Sequence, residues 1–158
     1  MDERRIAFDM LDAQDGTGPV EVLDSPAAGG LLRGARRIAM VGASPNPMRP
    51  SHGVMSYLLE QGYEIVPINP NVDQVLGVRA FPTLEDAVEA TGKFDIVDVF
   101  RRPEHTPDIA RSAVATGSGA LWMQLGVVNW EAAQIASGAG LPVVMDRCTA
   151  IEHRRIRH

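Results

Sequence analysis

The strongest constraint on the fold of this chain is the stretch 38–53. A short apolar run ends at Val41, the small residues Gly42, Ala43 and Ser44 follow, and an amphipathic helix is predicted next. In open α/β sheets such a turn holds a phosphate, because backbone N–H groups approach the anion and the helix N-terminus adds partial positive charge. The turn lacks the pattern G-x-G-x-x-G, so it indicates a nucleotide-like ligand in general and does not favour a dinucleotide.

Four later apolar runs, at 63–68, 94–100, 120–125 and 141–145, repeat this pattern at the spacing of βα units with crossover helices. Helices are predicted at 25–34, 51–61, 83–90, 106–116 and 130–137. The alternation predicts one α/β domain, a doubly wound parallel sheet of about five strands in the order 3-2-1-4-5. Ligands of such sheets bind beyond the carboxyl ends of the strands, so the loops of interest are 42–51, 69–73, 101–106 and 126–129.

Composition narrows the class of protein. The chain has 158 residues and a net charge of −5, which argues against a nucleic-acid surface. Cys148 is the single cysteine, so we expect a reducing compartment and a cytoplasmic location. No apolar stretch approaches the roughly 18 residues of a membrane span. We expect residues 1–24 to form an N-terminal extension and residues 25–158 to form the domain.

The first turn supplies the strongest binding candidates. The backbone donors of Gly42, Ala43 and Ser44, together with the Ser44 hydroxyl, would meet a phosphate at the start of the helix. A tight connection that binds nothing would need the same small residues. Arg49, just before the helix, would either form a bidentate pair with a phosphate or extend into solvent.

The loops after the second and third runs supply further candidates. Asn69 stands where NAD-binding sheets usually carry Asp or Glu, which counts against NAD and permits a ribose that carries phosphate. Asn69, Pro70 and Asn71 would also suit a turn without a ligand. Arg101 and Arg102 are adjacent guanidinium groups that match phosphate geometry, although neighbours in sequence tend to diverge.

The third and fourth runs contain polar residues at unusual places. Asp98 interrupts an apolar run, and we expect it to be buried and to anchor Arg101, Arg102 or a neighbouring loop rather than to act in catalysis. Gln124 is interpreted either as a contact for an amide-rich ligand arm or as a satisfied buried amide. Gly126 would allow a ligand to approach closely.

Catalytic patterns are not found. Cys148 follows the fifth run beside Arg147, and an inert, packed cysteine is expected over a nucleophile. The four histidines form no metal-ligand pattern, and neither G-x-S-x-G nor a P-loop is present. Reasoning from the residues therefore stops at a domain that binds a small, phosphate-bearing molecule, with no catalytic residue and no metal site.

Five segments in order resemble the stand-alone bacterial CoA-binding proteins, which are similar to the CoA-binding domain of the succinyl-CoA synthetase α subunit. The segments are 38–51, 66–70, 95–104, 121–129 and 145–155, and the resemblance covers roughly residues 25–156. It implies a Rossmann-like domain with CoA lying across the carboxyl ends of the strands.

The same resemblance implies roles for particular residues. CoA would meet the first turn at Gly42, Ala43 and Ser44. The loop Asn69, Pro70 and Asn71 would border the nucleotide end, and the adenosine side would be bordered by Phe100, Arg101 and Arg102. The synthetase carries a lysine shortly after the proline of the second loop, where this chain has the uncharged or acidic residues of segment 71–73. Its phosphorylated histidine belongs to a second domain, so ligase activity is not implied.

The expected function is binding of CoA or an acyl-CoA without catalysis, as a sensor, carrier or regulatory module. The expected partners are this small molecule and, beyond it, a CoA enzyme or a second copy of the chain, with no nucleic acid and no membrane. Two alternatives stay open: an NAD(P)-binding oxidoreductase or redox sensor on the same fold, and an interaction protein with a vestigial pocket.

Overall fold

The structure, a computed structural model, describes residues 18–157. Six α-helices lie within this range: α1 (Ser25–Gly34), α2 (Pro50–Glu60), α3 (Leu84–Thr91), α4 (Thr106–Ala115), α5 (Trp130–Gly138) and α6 (Thr149–Ile156). The strands are β1 (Arg37–Val41), β2 (Glu64–Ile68), β3 (Gln74–Val75), β4 (Val78–Arg79), β5 (Ile96–Val99), β6 (Leu121–Met123) and β7 (Val143–Val144). A 3-10 turn, Pro103–His105, precedes α4.

The main sheet is parallel and has five strands, in the order β2-β1-β5-β6-β7. The predicted doubly wound, Rossmann-like fold is therefore confirmed. The predicted strand order was wrong: counted along the chain, the five parallel strands lie in the order 2-1-3-4-5 and not 3-2-1-4-5. After β2 the chain crosses over β1, and β5, the third parallel strand, pairs with the other side of β1. Strands β3 and β4 form a separate antiparallel pair.

The outer edge of β2 explains this order. Phe81 donates its N–H to the carbonyl of Pro67 at 3.0 Å, and Asn69 donates to the carbonyl of Phe81 at 2.9 Å. The segment around Phe81 thus occupies the edge where the third strand would have paired. Pro67 has no N–H on that edge, and a strand with such a gap suits the margin of a sheet.

Helices cover both faces of the sheet, as the alternation predicted. On one face α3, α4 and α5 bury their alanines against alternate strand residues such as Val97 and Leu121. On the other face α1, α2 and α6 cover the remaining alternate residues, including Met40 and Trp122. The strands of the main sheet are buried on both faces, which is why the runs read as continuously apolar rather than alternating.

Local signals explain most helix boundaries. Thr83 accepts the N–H of Asp86 at 3.1 Å, and Asn129 accepts that of Ala132 at 2.9 Å, so both predicted helix starts are capped as expected. Helix α1 begins at residue 25, as predicted, and is capped by Asp24, which accepts the N–H of Ala27. Helix α6 was not predicted, because its N-cap residue Cys148 supplies no capping side chain.

The segment before α1 packs on the sheet from residue 18 onwards. Val20 and Val22 contact one core, and Leu23 donates its N–H to the carbonyl of Val143 at 2.9 Å. The remainder of the expected extension, residues 1–17, lies outside the described residues. No helix within residues 18–157 is both long and apolar enough to cross a membrane.

Candidate functional site

A cleft of about 910 Å³ opens where β1, β2, β5 and β6 end. It lies at the point where the chain leaves β1 towards one face of the sheet and β5 towards the other, the position where open α/β sheets bind ligands. Ten of the twelve predicted site residues line it: Gly42, Ser44, Arg49, Asn69, Pro70, Asn71, Phe100, Arg101, Arg102 and Gln124. Ala43 and Gly126 do not.

The first turn is pressed against the loop that follows β5. Gly42 has a φ of +88°, and a Cβ placed there would lie 3.0 Å from the Phe100 carbonyl oxygen and 3.0 Å from Cδ of Arg101. Glycine is required on both counts, because a side chain would be strained and would collide with backbone. This close approach places the first turn directly against the loop after β5, at the β1–β5 junction.

Within the first loop, several polar groups bond to one another. Ser44 donates its N–H to the buried Ser51 hydroxyl at 3.1 Å, and the Ser44 hydroxyl accepts the N–H of Asn46 at 3.1 Å. Ala43 is fully buried in the core below the cleft. Hydrogen bonds within the loop therefore fix its shape. Ser51, the first residue of the helix predicted over 51–61, also holds the turn in place through its hydroxyl.

Asn69 joins the second loop to the first. Its Nδ2 donates to the carbonyl of Ala43 at 2.8 Å, and its Oδ1 accepts the N–H of Asn71 at 2.8 Å. The side chain therefore forms the turn that sequence reasoning kept as an alternative, and the same turn borders the cleft. Asn69 places an uncharged group where a carboxylate would repel phosphate.

The cleft has a strongly asymmetric charge. Arg49, Arg101 and Arg102 line it and are exposed, and within residues 18–157 no Asp or Glu lines it. None of the three arginines forms an ion pair with another residue of the described range. The cleft is therefore positive in a chain whose net charge is −5.

Two helix N-termini reinforce this charge. Helix α2 begins after Arg49 and helix α6 after Cys148, and neither N-cap residue supplies a capping side chain. Residues at the start of both helices line the cleft, among them Ser51 and Ile151. Helix N-termini carry partial positive charge and unsatisfied N–H groups, so both favour an anion in the cleft.

A buried polar cluster lies beneath the cleft at its β6 side. Gln124 Nε2 donates to Asp98 Oδ1 at 2.5 Å and to Thr149 Oγ1 at 3.0 Å, and Thr149 Oγ1 donates to Asp98 Oδ2 at 3.0 Å. Asp98 was expected to anchor Arg101, Arg102 or a neighbouring loop, and it bonds Gln124 in the loop after β6 and Thr149, but neither arginine. Asp98 faces the helix layer of α1, α2 and α6, and the arginines lie beyond the strand end.

The environment of Asp98 favours its neutral form. Complete burial raises the pKa of Asp98 to about 7, and the hydrogen bonds from Gln124 and Thr149 oppose that rise. With Nε2 held by both partners, the Gln124 side chain sits at the floor of the cleft with a defined orientation. Such a carboxamide can present its oxygen to an N–H of a ligand.

Several lining residues were missed by sequence reasoning. Val54, Leu125, Val127 and Ile151 form an apolar part of the lining, and Cys148 lies beside them. Helix α6, which was not predicted, brings Ile151 and its N-cap residue Cys148 to the site. An isolated apolar residue in a loop gives no sequence signal for a binding site. Cys148, expected to be inert and packed, lines the cleft and is partly exposed.

Gly126 and the three described histidines, His52, His105 and His153, lie outside the cleft lining. Gly126 has a φ of +83° and donates its N–H to Asp146 Oδ1 at 2.7 Å, so it closes the loop after β6. Within residues 18–157, no group of three or more His, Cys, Asp or Glu side chains is arranged to hold a metal ion.

Comparison with known proteins gives consistent relatives. The model of the CoA binding domain family matches residues 36–154. The Bacillus subtilis (strain 168) protein YneT is 42% identical over 123 residues, which cover 78% of this chain and 89% of YneT. A hypothetical protein from Pyrococcus horikoshii OT3 superposes with a TM-score of 0.81 at 36% identity, covering 90% of this chain and 98% of that one.

A more distant likeness concerns the fold alone. The apo form of the dinucleotide forming acetyl-coenzyme A synthetase 1 from Ca. Korarchaeum cryptofilum has a TM-score of 0.63 and 21% identity, and the match covers 73% of this chain and 28% of that enzyme. On the family match and the closer relatives, this chain belongs to the CoA binding domain family, in agreement with the resemblance found in the sequence.

Proposed function

We propose that this protein binds coenzyme A, free or as a thioester, in the cleft at the β1–β5 junction and catalyses no reaction on it. The observation that carries the proposal is the cleft lined by Arg49, Arg101 and Arg102 with no described carboxylate among its lining residues. Family membership supports the same ligand, whose phosphates need such a positive site.

The cleft suggests an orientation for the ligand. The diphosphate would lie over the first turn, near the start of α2, with the guanidinium groups of Arg49 and Arg101 on either side. The nucleotide end would lie beside segment 69–71 and Arg102. The pantetheine arm would run towards Gln124, whose carboxamide suits the amides of that arm.

Calorimetric titration tests the proposal directly. We expect CoA to bind in the micromolar range or tighter and dephospho-CoA, which lacks one phosphate, to bind more weakly. NAD, which shares the adenosine diphosphate but has no pantetheine arm, should bind more weakly still. A protein indifferent to all three compounds would contradict the proposal, and a preference for NAD would favour the dinucleotide alternative.

The single cysteine allows the site to be located. Cys148 lines the cleft, so bound acetyl-CoA, whose thioester sulfur does not consume the reagent, should slow its alkylation by a neutral maleimide. At a ligand concentration ten times Kd, we expect the labelling rate to fall by about ten-fold, in proportion to the free fraction. An unchanged rate in the presence of saturating acetyl-CoA would place the ligand elsewhere.

The absence of catalysis is a separate part of the proposal. We infer a sensor, carrier or regulatory role in the cytoplasm, with a CoA enzyme or a second copy of the chain as the partner. Acyl-CoA incubated with the protein should be recovered intact by chromatography. Hydrolysis or acyl transfer above the rate of a heat-denatured sample would show that the protein is an enzyme.

A further inference from the structure

The lining of the cleft changes character along the edge of the sheet. Arginine and amide side chains border the part over β2, β1 and β5, where the three unpaired guanidinium groups lie. Leu125 and Val127, which follow β6, border the next part, and Cys148 and Ile151 border it from the start of α6, where Thr149 bonds to Gln124. Val54 of helix α2 contributes a further apolar surface.

Sheet order sets the distance between the two parts. Strand β6 lies two positions from β1, and neighbouring strands are about 4.8 Å apart, so the loop after β6 lies roughly 10 Å along the edge from Gly42. Gln124 stands between the arginines and the apolar residues. An elongated ligand whose phosphates lie over the first turn therefore extends its far end towards Leu125 and Ile151.

The apolar end is exposed to an unusual degree. Four large hydrophobic side chains are exposed within residues 18–157, and two of them, Leu125 at 64% and Ile151 at 39%, line the cleft. Exposed apolar side chains that are contiguous with a binding cleft indicate a surface that a ligand covers.

We propose that this end of the cleft binds the acyl group of an apolar thioester of medium length, such as a butyryl or hexanoyl group. The inference rests on the proposed function, since the CoA part must occupy the rest of the cleft. A CoA thioester has the same order of chemistry as the lining: phosphates, then amides, then the acyl chain. Carboxylate-bearing acyl groups are disfavoured, because segment 124–127 contains no cationic residue that would pair with them.

Titration with a series of thioesters measures the effect. Full burial of one methylene strengthens binding by about four-fold. A methylene that packs against half-exposed side chains should strengthen binding by about two-fold. Hexanoyl-CoA has four more methylenes than acetyl-CoA, so we expect it to bind about 15-fold more tightly. Succinyl-CoA, close in length to butyryl-CoA, should bind no more tightly than acetyl-CoA.

Substitution shows whether these residues cause the preference. In Leu125→Ser and in Ile151→Ser the ratio of the affinities for hexanoyl-CoA and acetyl-CoA should fall to less than three-fold, whatever the change in affinity for CoA itself. The matched control is Leu76→Ser, because Leu76 is 41% exposed but lies in the β3–β4 turn and does not line the cleft. It should keep the full difference of about 15-fold.

The possible outcomes separate the two proposals. If CoA binds and its affinity does not change with acyl length, the acyl site is refuted and the proposed function stands. If no CoA species binds, both are refuted. If Leu125→Ser turns a dimer into a monomer and leaves the thioester series unchanged, the apolar end is an interface between two copies and the acyl site is again refuted.

Discussion

The two ends of the sheet each have a cavity lined by three arginines, but the two cavities differ in what surrounds those arginines. At the carboxyl ends of the strands, Arg49, Arg101 and Arg102 line the large cleft. At the opposite end, a recess of about 330 Å³ is lined by Arg33, Arg36 and Arg157. Within the described residues neither lining contains an Asp or Glu.

The helices distinguish these two sites. The recess is built from the last turns of α1, α2 and α6, whose carbonyl groups carry partial negative charge that its arginines offset. The cleft is built from the first turns of α2 and α6, whose partial positive charge adds to that of its arginines. Arginine side chains therefore neutralise the helix C-termini at the recess, whereas at the cleft they attract an anion.

Removing two arginines from each end would test this comparison most strongly. The double variant Arg101→Ala/Arg102→Ala should lose about 3 kcal/mol of CoA binding, which is more than 100-fold, because two charge-assisted contacts are lost from a partly exposed site. The matched variant Arg33→Ala/Arg36→Ala should bind CoA within two-fold of the original. Equal losses in calorimetric titrations of the two variants would mean that general charge, not the cleft, attracts the ligand.

The free energy of unfolding should depend on pH in opposite directions through two groups, the buried Asp98 below the cleft and His153 in the recess. Burial raises the pKa of Asp98 to about 7, so the folded protein holds this proton up to neutral pH and the unfolded chain releases it near pH 4. The free energy of unfolding should therefore fall by on the order of 2 kcal/mol from pH 5 to pH 8 through Asp98.

His153 acts in the other direction. Burial and then the nearby Arg157 lower its pKa, so its contribution to the free energy of unfolding rises with pH up to the ordinary histidine value. Urea unfolding of the original protein and of Asp98→Asn at both pH values isolates the first effect, because His153 is common to both. The Asp98→Asn variant should lack the fall; a fall of the same size in both proteins would rule out Asp98 as its source.

Glycine substitutions compare backbone contacts at the two ends. Gly42 and Gly140 both have a φ of +88°, but a Cβ at Gly140 would meet nothing within 4 Å. Gly42→Ala should therefore cost about 1 kcal/mol more than Gly140→Ala in urea unfolding, because the added methyl contacts the Phe100 carbonyl. Only Gly42→Ala should weaken CoA binding. Equal losses in the free energy of unfolding would mean that the loop after β5 moves to accommodate the methyl group without strain.

Salt should have the smallest effect. Raising NaCl from 50 to 300 mM should weaken CoA binding by about two- to three-fold, because exposed charges are screened over shorter distances. The dependence should persist in Arg33→Ala/Arg36→Ala and become weaker in Arg101→Ala/Arg102→Ala. A salt dependence that is the same in all three proteins would show that these arginines do not contact the phosphates.

Sequence reasoning located the elements and most of the lining. The strands of the main sheet are buried on both faces and therefore appear in the sequence as apolar runs. The starts of helices α3 and α5 are indicated by the capping residues Thr83 and Asn129. It missed α6, which has no capping side chain, and with it the place of Ile151 in the cleft. It also left open the partners of Asp98, because hydrogen bonds between residues 26 and 51 positions apart leave no pattern in sequence.

The predicted strand order was the largest error, although Pro67 indicates the edge position of β2. A proline within a run is compatible with an edge strand, and β2 is indeed an edge strand whose outer side pairs with Phe81. With the predicted order, Gly42 would have lain beside the loop after β6. In the structure it lies beside Phe100 and Arg101.

The amino-acid sequence by itself determined the alternation of strands and helices, the small-residue turn after β1 and the family to which the chain belongs. These properties depend on local periodicity and on short motifs. Tertiary structure alone decided that the arginines after β5 lie next to that turn, that α6 lends its N-terminus and Ile151 to the cleft, and that Asp98 pairs with Gln124. Strand order and helix packing are set by long-range contacts, which bring together residues that no local pattern connects.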